Sequence, residues 1–310
     1  MKVFTDQTDF AANYFPEEKP WKSVDFSGME KNLLHLLIRL FNGKAVFRNE
    51  QKSEFWRYLF LVENAPASQY DVLIDLVRQN RKIPAAVLCL AGAGKNFHGF
   101  QNRNWCSLSG NIHLSAYVAP NKMIKNFASG FMIVAAVSVL QTLDAIPWLQ
   151  GKPAIKWMND IFIDDAKVSG VLAHTFTRGN SVTGAVLGIG VNVAASPGIE
   201  PTPFVPEAAA LADFVPEKSA ITQGMVFPQL LTFLYRNYQI LLAGDYRRLL
   251  EIYRTRSLVI GRNISLWRDE IQKPAEKIAA GKVKSIGENL ELYLEGEKTP
   301  YKSGRLVLES

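Results

Sequence analysis

The spacing of apolar residues switches between two rhythms along this chain, and each switch marks a change of backbone. Leu33, Leu34, Leu37, Ile38 and Phe41 recur every three or four positions within Met29 to Phe41, which predicts an amphipathic helix docked by one face. Phe55 to Val62 reads as the first strand of the sheet, and Val72 to Leu76 as a helix that Ser68 can N-cap, with Asp71 in its first turn. Phe127, Phe131, Val134, Ala135 and Val139 repeat the helical rhythm on an apolar background, which predicts a helix buried in the core. Ser138, Gln141 and Asp144 interrupt that run well short of a membrane span. Val226 to Arg256 is a further helical region, and the four prolines of Pro201 to Pro216 predict a loop crossing the surface before it.

Elsewhere the rhythm becomes two. Ile155 to Ile163 alternates apolar and polar residues until Asp164-Asp165 supplies turn chemistry. Val168 to Thr177 is a second β-rich run, closed by Arg178-Gly179-Asn180, and Ser181 to Val193 is a third. Turns this short make neighbouring strands antiparallel. From Leu258 to Leu308, five or six short runs are punctuated by Gly261, Gly281, Gly287, Gly296 and Gly304 (Val259-Ile260, Asn263 to Trp267, Lys277 to Ile286, Leu290 to Leu294, Arg305 to Leu308). That pattern predicts a small barrel, too small to be stable without packing on its neighbour. The expected class is α+β: a mixed or antiparallel sheet flanked by helices, plus a C-terminal β-barrel.

Composition narrows the functional classes. With 310 residues and 48% apolar content the chain can bury a large core and divide into domains. The first 25 residues are acidic and lack an apolar secretory core, and the two cysteines, Cys89 and Cys106, have no paired spacing, so a reducing, cytoplasmic setting is expected. His35, His98, His113 and His174 show no ligand spacing for a structural metal, and only His98 falls near the candidate site below. A net charge of +6 without a basic stripe argues against nucleic acid as a partner, while suiting an acidic one. No membrane partner is expected.

The chemistry concentrates in three linked segments: Lys156-Trp157-Met158-Asn159-Asp160, then Lys167-Val-Ser-Gly170-Val-Leu, then Gly188-Ile-Gly190-Val-Asn192. Taken singly, each residue could be a solvated lysine or a turn glycine. Together, on adjacent antiparallel strands, they could converge as ammonium groups for anions, a carboxylate for Mg²⁺, and glycines where a ligand approaches backbone. Such a set suits activation of a carboxylate by a phosphate donor. Ala91-Gly-Ala-Gly-Lys95-Asn96 lacks the spacing of a P-loop, so a nucleoside triphosphatase of that type is rejected.

These segments resemble the biotin protein ligases, whose central domain carries Lys-Trp-Pro-Asn-Asp, Lys-x-x-Gly-(Ile/Val)-Leu and Gly-x-Gly-x-Asn in the same order and with matching gaps. Met158 stands where that family has proline. Upstream, the family's Gly-Arg-Gly-Arg-x-Gly-Arg-x-Trp loop is matched less closely by Phe97-His98-Gly99-Phe100-Gln101-Asn102-Arg103-Asn104-Trp105. Ser107, Gly110, Asn111 and Ser115 follow in place. Of the loop arginines only Arg103 remains. Phe100, or Gln101 with a one-residue slip, takes the position of the arginine that steadies the adenylate. One charge-assisted hydrogen bond contributes about 1.5–3 kcal/mol, so the loss weakens the grip by roughly one or two decades without abolishing chemistry. Lys95, His98 or Arg103 could compensate. Pro66-Ala67-Ser68-Gln69-Tyr70-Asp71 replaces the family's Ser-Thr-Asn element that meets the ureido ring, which loosens the assignment of the acyl group.

The resemblance implies a biotin/lipoate ligase-type catalytic domain at residues 49–257 and an SH3-like barrel at 258–310, whose closing segment matches Tyr301 to Leu308. Residues 1–48 form a helical extension too short for the family's DNA-binding module. It further implies ATP, Mg²⁺ and biotin, with Lys167 catalytic and Arg103 closing its loop over the adenylate. Gly99, Phe100, Gln101, Trp105, Lys156, Asn159, Asp160, Gly170, Gly188, Gly190 and Asn192 would bind the acyl-adenylate, with Asp160 on Mg²⁺. Ser68 and Gln69 would line the acyl pocket. A carboxylase's carrier domain would be the acceptor, and a homodimer is permitted. Alternatives are a ligase or transferase for lipoate or another related acyl group, and a weakened homologue that binds ligand or carrier domain without catalysis. A transcriptional repressor is least favoured.

Overall fold

Strand residues Leu59 and Leu61 bury themselves on one face of a large sheet, Phe60 and Val62 on the other, and all four are fully enclosed. A sheet apolar on both faces must be covered twice. The computed structural model describes residues 1–15, 20–217, 221–268 and 274–309.

Eleven strands form the sheet. They are β1 (Lys2–Thr5), β2 (Lys22–Ser23), β3 (Phe47–Glu50), β4 (Tyr58–Ala65), β5 (Val87–Gly94) and β6 (Ile112–Val118), followed by β7 (Pro153–Lys156), β8 (Asp160–Ile163), β9 (Ala166–Arg178), β10 (Ser181–Val191) and β11 (Glu207–Ala208). The order is β2-β3-β1-β4-β5-β6-β10-β9-β8-β7, with β11 beside β9. β1, β4 and β5 run parallel; β5, β6, β10, β9, β8 and β7 are successively antiparallel. Helices α4 (Phe127–Asp144), α5 (Gln223–Leu242) and α6 (Tyr246–Thr255) cover one face, joined by residues of α1 (Thr8–Ala12). Helices α2 (Lys31–Phe41) and α3 (Gln69–Arg78) cover the other. The apolar α4 lies buried between the sheet and α5, and it is the one described helix long and apolar enough to cross a membrane.

Several expectations change. The N-terminal segment is not only helical. It adds β1, β2 and β3 to the main sheet, so Phe55 to Val62 contributes an interior strand rather than the first. The segment is tied to the main sheet by the Glu63 N–H, which donates to the buried carboxylate of Asp6 at 2.9 Å, and Lys44 pairs with that same carboxylate. Within α2 the buried stripe is Leu33, Leu36, Leu37, Leu40 and Phe41, leaving Ile38 exposed. Ile155 to Ile163 is a hairpin, not one strand: Ile155 pairs with Ile161 across the turn, so the period of two survives the reversal and hides it from the sequence. Val226 to Arg256 divides at Gly244, whose φ of +85° and N–H bond to the Leu241 carbonyl end α5.

The C-terminal region forms a separate antiparallel sheet of four strands, β12 (Asn263–Arg268), β13 (Glu276–Ile286), β14 (Leu292–Leu294) and β15 (Arg305–Leu308), in the order β14-β13-β12-β15. Val259-Ile260 is not a strand, and β14 and β15 are not paired with each other among the described residues, so the sheet is open. It is bolted to the main sheet. Trp157 Nε1 donates to the Leu290 carbonyl at 2.7 Å, Arg254 Nε to Ile286 O at 2.7 Å, and the Leu258 N–H to Ile155 O at 2.8 Å.

Candidate active site

The antiparallel register lines four residues across four strands: Asp160 opposite Gly170, Gly170 opposite Gly190, and Gly190 opposite His113. Two residues along β10, Gly188 lies on the same face. The glycines leave room that aromatic rings take. A Cβ on Gly190 would collide with the Trp105 indole, 2.6 Å from Cε2, and one on Gly188 would meet Tyr70 Cδ2 at 3.0 Å. A Cβ on Gly170 would sit 3.3 Å from both Asp160 Oδ1 and Trp105 Cζ3. The floor is therefore bare backbone, with Trp105 and Tyr70 lying across it.

Two lysines enter from one side. Lys167 Nζ pairs with Asp160 Oδ1 at 2.7 Å and lies 5.7 Å from the centre of the Trp105 ring. Lys156 Nζ, almost wholly buried, donates to the Phe204 carbonyl at 2.6 Å and lies 5.1 Å from the Phe162 ring. Burial lowers its pKa to about 8, with repulsion from Lys167 and Arg305 adding to the effect and Asp160 opposing it. The Trp157–Met158 peptide is cis. Asn159 Nδ2 donates to Val171 O at 2.8 Å and the Tyr253 hydroxyl to Met158 O at 2.8 Å, so this turn is held from two sides.

The opposite wall is a tight hairpin. Gly99 N–H bonds to Arg103 O at 2.7 Å and Trp105 N–H to Phe97 O at 3.0 Å, placing Phe100, Gln101 and Asn102 at the tip. Arg103 turns back on this loop, donating to Gln101 Oε1 at 2.6 Å and to the Phe100 carbonyl at 3.3 Å. Trp105 Nε1 can only donate, so His113 Nδ1 accepts from it at 3.2 Å and His113 Nε2 carries the proton toward Leu108 O at 3.1 Å. Burial drives the His113 pKa down to about 4, against the pull of the Leu108 carbonyl, so the ring is neutral and fixes the indole.

Of the residues expected from the sequence, Ser68, Gly99, Phe100, Arg103, Trp105, Lys156, Asn159, Asp160, Lys167, Gly170, Gly188 and Gly190 line one cleft. Gln69, Gln101 and Asn192 do not. Gln69 is buried behind Ser68, and Gln101 projects to solvent and takes the Arg103 bond. Asn192 Nδ2 reaches the Ala209 carbonyl at 3.2 Å behind the cleft. Pro201 to Pro216 is not a surface crossing alone. β11 pairs with β9 and draws the preceding loop inward, so Phe204 and Val205 line the cleft. The Arg305 guanidinium, from the C-terminal sheet, stacks 3.9 Å from the Phe204 ring centre. Tyr70, His113, Phe204 and Arg305 were not singled out beforehand. Glycines two apart on a strand signalled that rings must lie above them, but not which rings.

Residues 91–192 match the model of the Biotin/lipoate A/B protein ligase family. That stretch is similar to this family. Beyond it, the chain is 26% identical over 186 residues to the "Bifunctional ligase/repressor BirA" of Bacillus subtilis (strain 168), covering 60% of this chain and 56% of that protein. It is 30% identical over 99 residues to the "Biotin--[acetyl-CoA-carboxylase] ligase" of Paracoccus denitrificans, covering 32% of this chain and 41% of that one. The chain thus spans only about half the length of these curated relatives, 56% and 41%. Among solved structures, the biotin protein ligase from Aquifex aeolicus in complex with biotin and ATP superimposes with a TM-score of 0.60 at 19% identity, over 82% of this chain and 99% of that one. At that identity the likeness establishes the mixed α+β fold. The ligase-family match covers β5 to β10, the strands that carry the glycine floor, Asp160 and both lysines.

Proposed function

We propose that the protein is an ATP-dependent biotin protein ligase. The observation that carries this reading is the convergence of Lys156, Lys167 and Asp160 on one cleft whose floor is the Gly170-Gly190 pair. In the first step a carboxylate oxygen of the acid attacks the α-phosphorus of ATP, and pyrophosphate leaves with the electrons of the broken P–O bond. Lys167 stabilises charge on the attacking carboxylate and the α-phosphate, and Lys156 holds the phosphates; positioning and charge do the catalysis. The glycines let the Trp105 and Tyr70 rings lie on the sheet, and Trp105 covers the nucleotide side of the adenylate. In the second step an uncharged lysine amine of a carrier domain attacks the acyl carbonyl, AMP leaves, and the amine loses a proton.

Mg²⁺ would arrive with ATP. Asp160 is the only carboxylate among the described lining residues, and the described residues hold no group of three or more ligands for a metal. This fits an ion held by one carboxylate and phosphate oxygens. Support for biotin comes from Ser68 at the cleft, whose hydroxyl can donate to a ureido oxygen. The open C-terminal sheet, read as an SH3-like module, would help receive the carrier domain, a carboxylase's biotin carrier.

The deciding assay is exchange of labelled pyrophosphate into ATP with biotin and lipoate in parallel. Biotin-dependent exchange is expected. Exchange with lipoate alone would move the assignment to that acid, and silence with both from folded protein would end the ligase reading in favour of a binding protein.

A further inference from the structure

The hairpin that walls the cleft is tied to helix α3 by one side chain from each: His98 Nε2 lies 2.9 Å from Asp71 Oδ2 and 3.0 Å from Oδ1. The other ring nitrogen, Nδ1, lies 3.0 Å from the Gly99 carbonyl. Both partners can only accept, so both ring nitrogens must donate, and the arrangement is satisfied by the imidazolium alone. A neutral ring can keep one of the two bonds and must turn a lone pair on the other acceptor. We propose that the His98–Asp71 pair is a latch that holds the Phe97–Trp105 hairpin over the cleft and sets how long the acyl-adenylate stays there.

The geometry locates what the latch controls. His98 and Gly99 themselves line the cleft, and Trp105 at the hairpin's far end lies on Gly190. Arg103 donates within the tip to Gln101 and the Phe100 carbonyl, and His98 bonds the hairpin to helix α3. Burial alone would lower the His98 pKa, but the Gly99 carbonyl and Asp71 outweigh it and raise the value above the ordinary 6.5. The groups around the ring are Asp71 and the Tyr70 edge from α3, Arg103 on the hairpin, and Lys156, Asp160 and Lys167 across the cleft. Folded and charged, the latch is complete below the raised pKa and opens as pH rises through it. Control of adenylate retention rests on the ligase reading; the latch itself does not.

His98 is shielded but the Asp71 side chain is 45% exposed, so water screens the pair and its loss should change hairpin opening by roughly tenfold rather than a hundredfold. The test is amide hydrogen exchange of the ligand-free full chain at Gly99 and Trp105, corrected for intrinsic rates, between about pH 6 and about pH 9. Protection should fall with rising pH in the wild type, be low throughout in Asp71→Asn and His98→Gln, and persist at high pH in His98→Arg, whose charge does not titrate. Equal protection in wild type and Asp71→Asn would overturn the latch. The second readout is AMP released without acceptor. It should rise about tenfold in Asp71→Asn relative to its pyrophosphate-exchange rate. Unchanged release despite lost protection would refute control of retention. If the wild type makes no adenylate from either acid, the ligase reading fails, while amide exchange still decides the latch.

Discussion

Replacing Lys167 with alanine separates catalysis from stability. Its ammonium group sits 2.7 Å from Asp160 Oδ1, with 19% and 24% of the two side chains exposed. Breaking a fully buried pair costs about 3–5 kcal/mol; with a fifth to a quarter of each side chain wet, about 1–2 kcal/mol is the expected loss. A domain stable by about 5–15 kcal/mol would remain almost wholly folded. Removing one group that stabilises developing charge in a preorganised site costs about 100- to 1,000-fold in rate. Lys167→Ala should therefore lower biotin-dependent pyrophosphate exchange by about two to three decades while its melting temperature drops by only several degrees. Lys167→Arg, keeping the charge in a different shape, should fall between. An alanine variant within tenfold of wild-type exchange would remove Lys167 from the chemistry. A variant that is inactive because it is unfolded would show instead that the ion pair is structural.

Three further outcomes are expected. In Gly190→Val the side chain would enter the space of the Trp105 ring; because Trp105 is on a hairpin that can shift, stability should fall by about 1–3 kcal/mol at most while ATP binding, measured by calorimetry, is largely lost, and unaltered binding would show that the glycine floor is not used. Lys156, with its pKa lowered to about 8 against 10.5 when unfolded, binds fewer protons folded than unfolded between those values. Stability should thus rise across that window by about 3 kcal/mol while ATP affinity falls as pH passes about 8, and parallel rather than opposed trends would contradict the assignment. Trp157→Phe deletes the 2.7 Å bond to the Leu290 carbonyl and should lower global stability by about 1–3 kcal/mol in denaturant titration; no change would mean the C-terminal sheet is held elsewhere.

How far the sequence reached depended on the range of each signal. The glycine spacing Gly188-x-Gly190 and the short turns around β8, β9 and β10 were local, and they placed Asp160, Gly170 and Gly190 on neighbouring strands as the structure does. The Lys-Trp-Met-Asn-Asp turn misled because hairpin reversal preserved parity: Ile155 and Ile161 face the same core either side of it. The N-terminal strands were missed because Lys2–Thr5 and Lys22–Ser23 are too short to show a period; their strand state follows from β4 and β3 offering unpaired backbone, not from their own side chains. Gln69 and Asn192 were assigned by motif position, yet a helix start and a strand end each turn alternate residues away from the cleft, and both fell on the hidden side.

Residues brought from far along the chain were beyond any periodic signal, and they share a logic. Asp71 meets His98, the Phe204 carbonyl takes Lys156, and Arg305 stacks on Phe204. Each of these contacts joins a cleft-lining segment to a different layer: helix α3, the loop before β11, and the C-terminal sheet. The strands supply a floor of glycine and fixed charge that cannot move without breaking the register. The walls come from elements joined to the floor and to other layers by side-chain contacts such as these. On the proposed ligase reading, acid and ATP must enter, the adenylate they form must be sealed from water, and it must then be offered to a large acceptor, which requires walls weaker than the floor. A registered sheet with walls held by side-chain contacts is the physical arrangement such a two-step reaction would need.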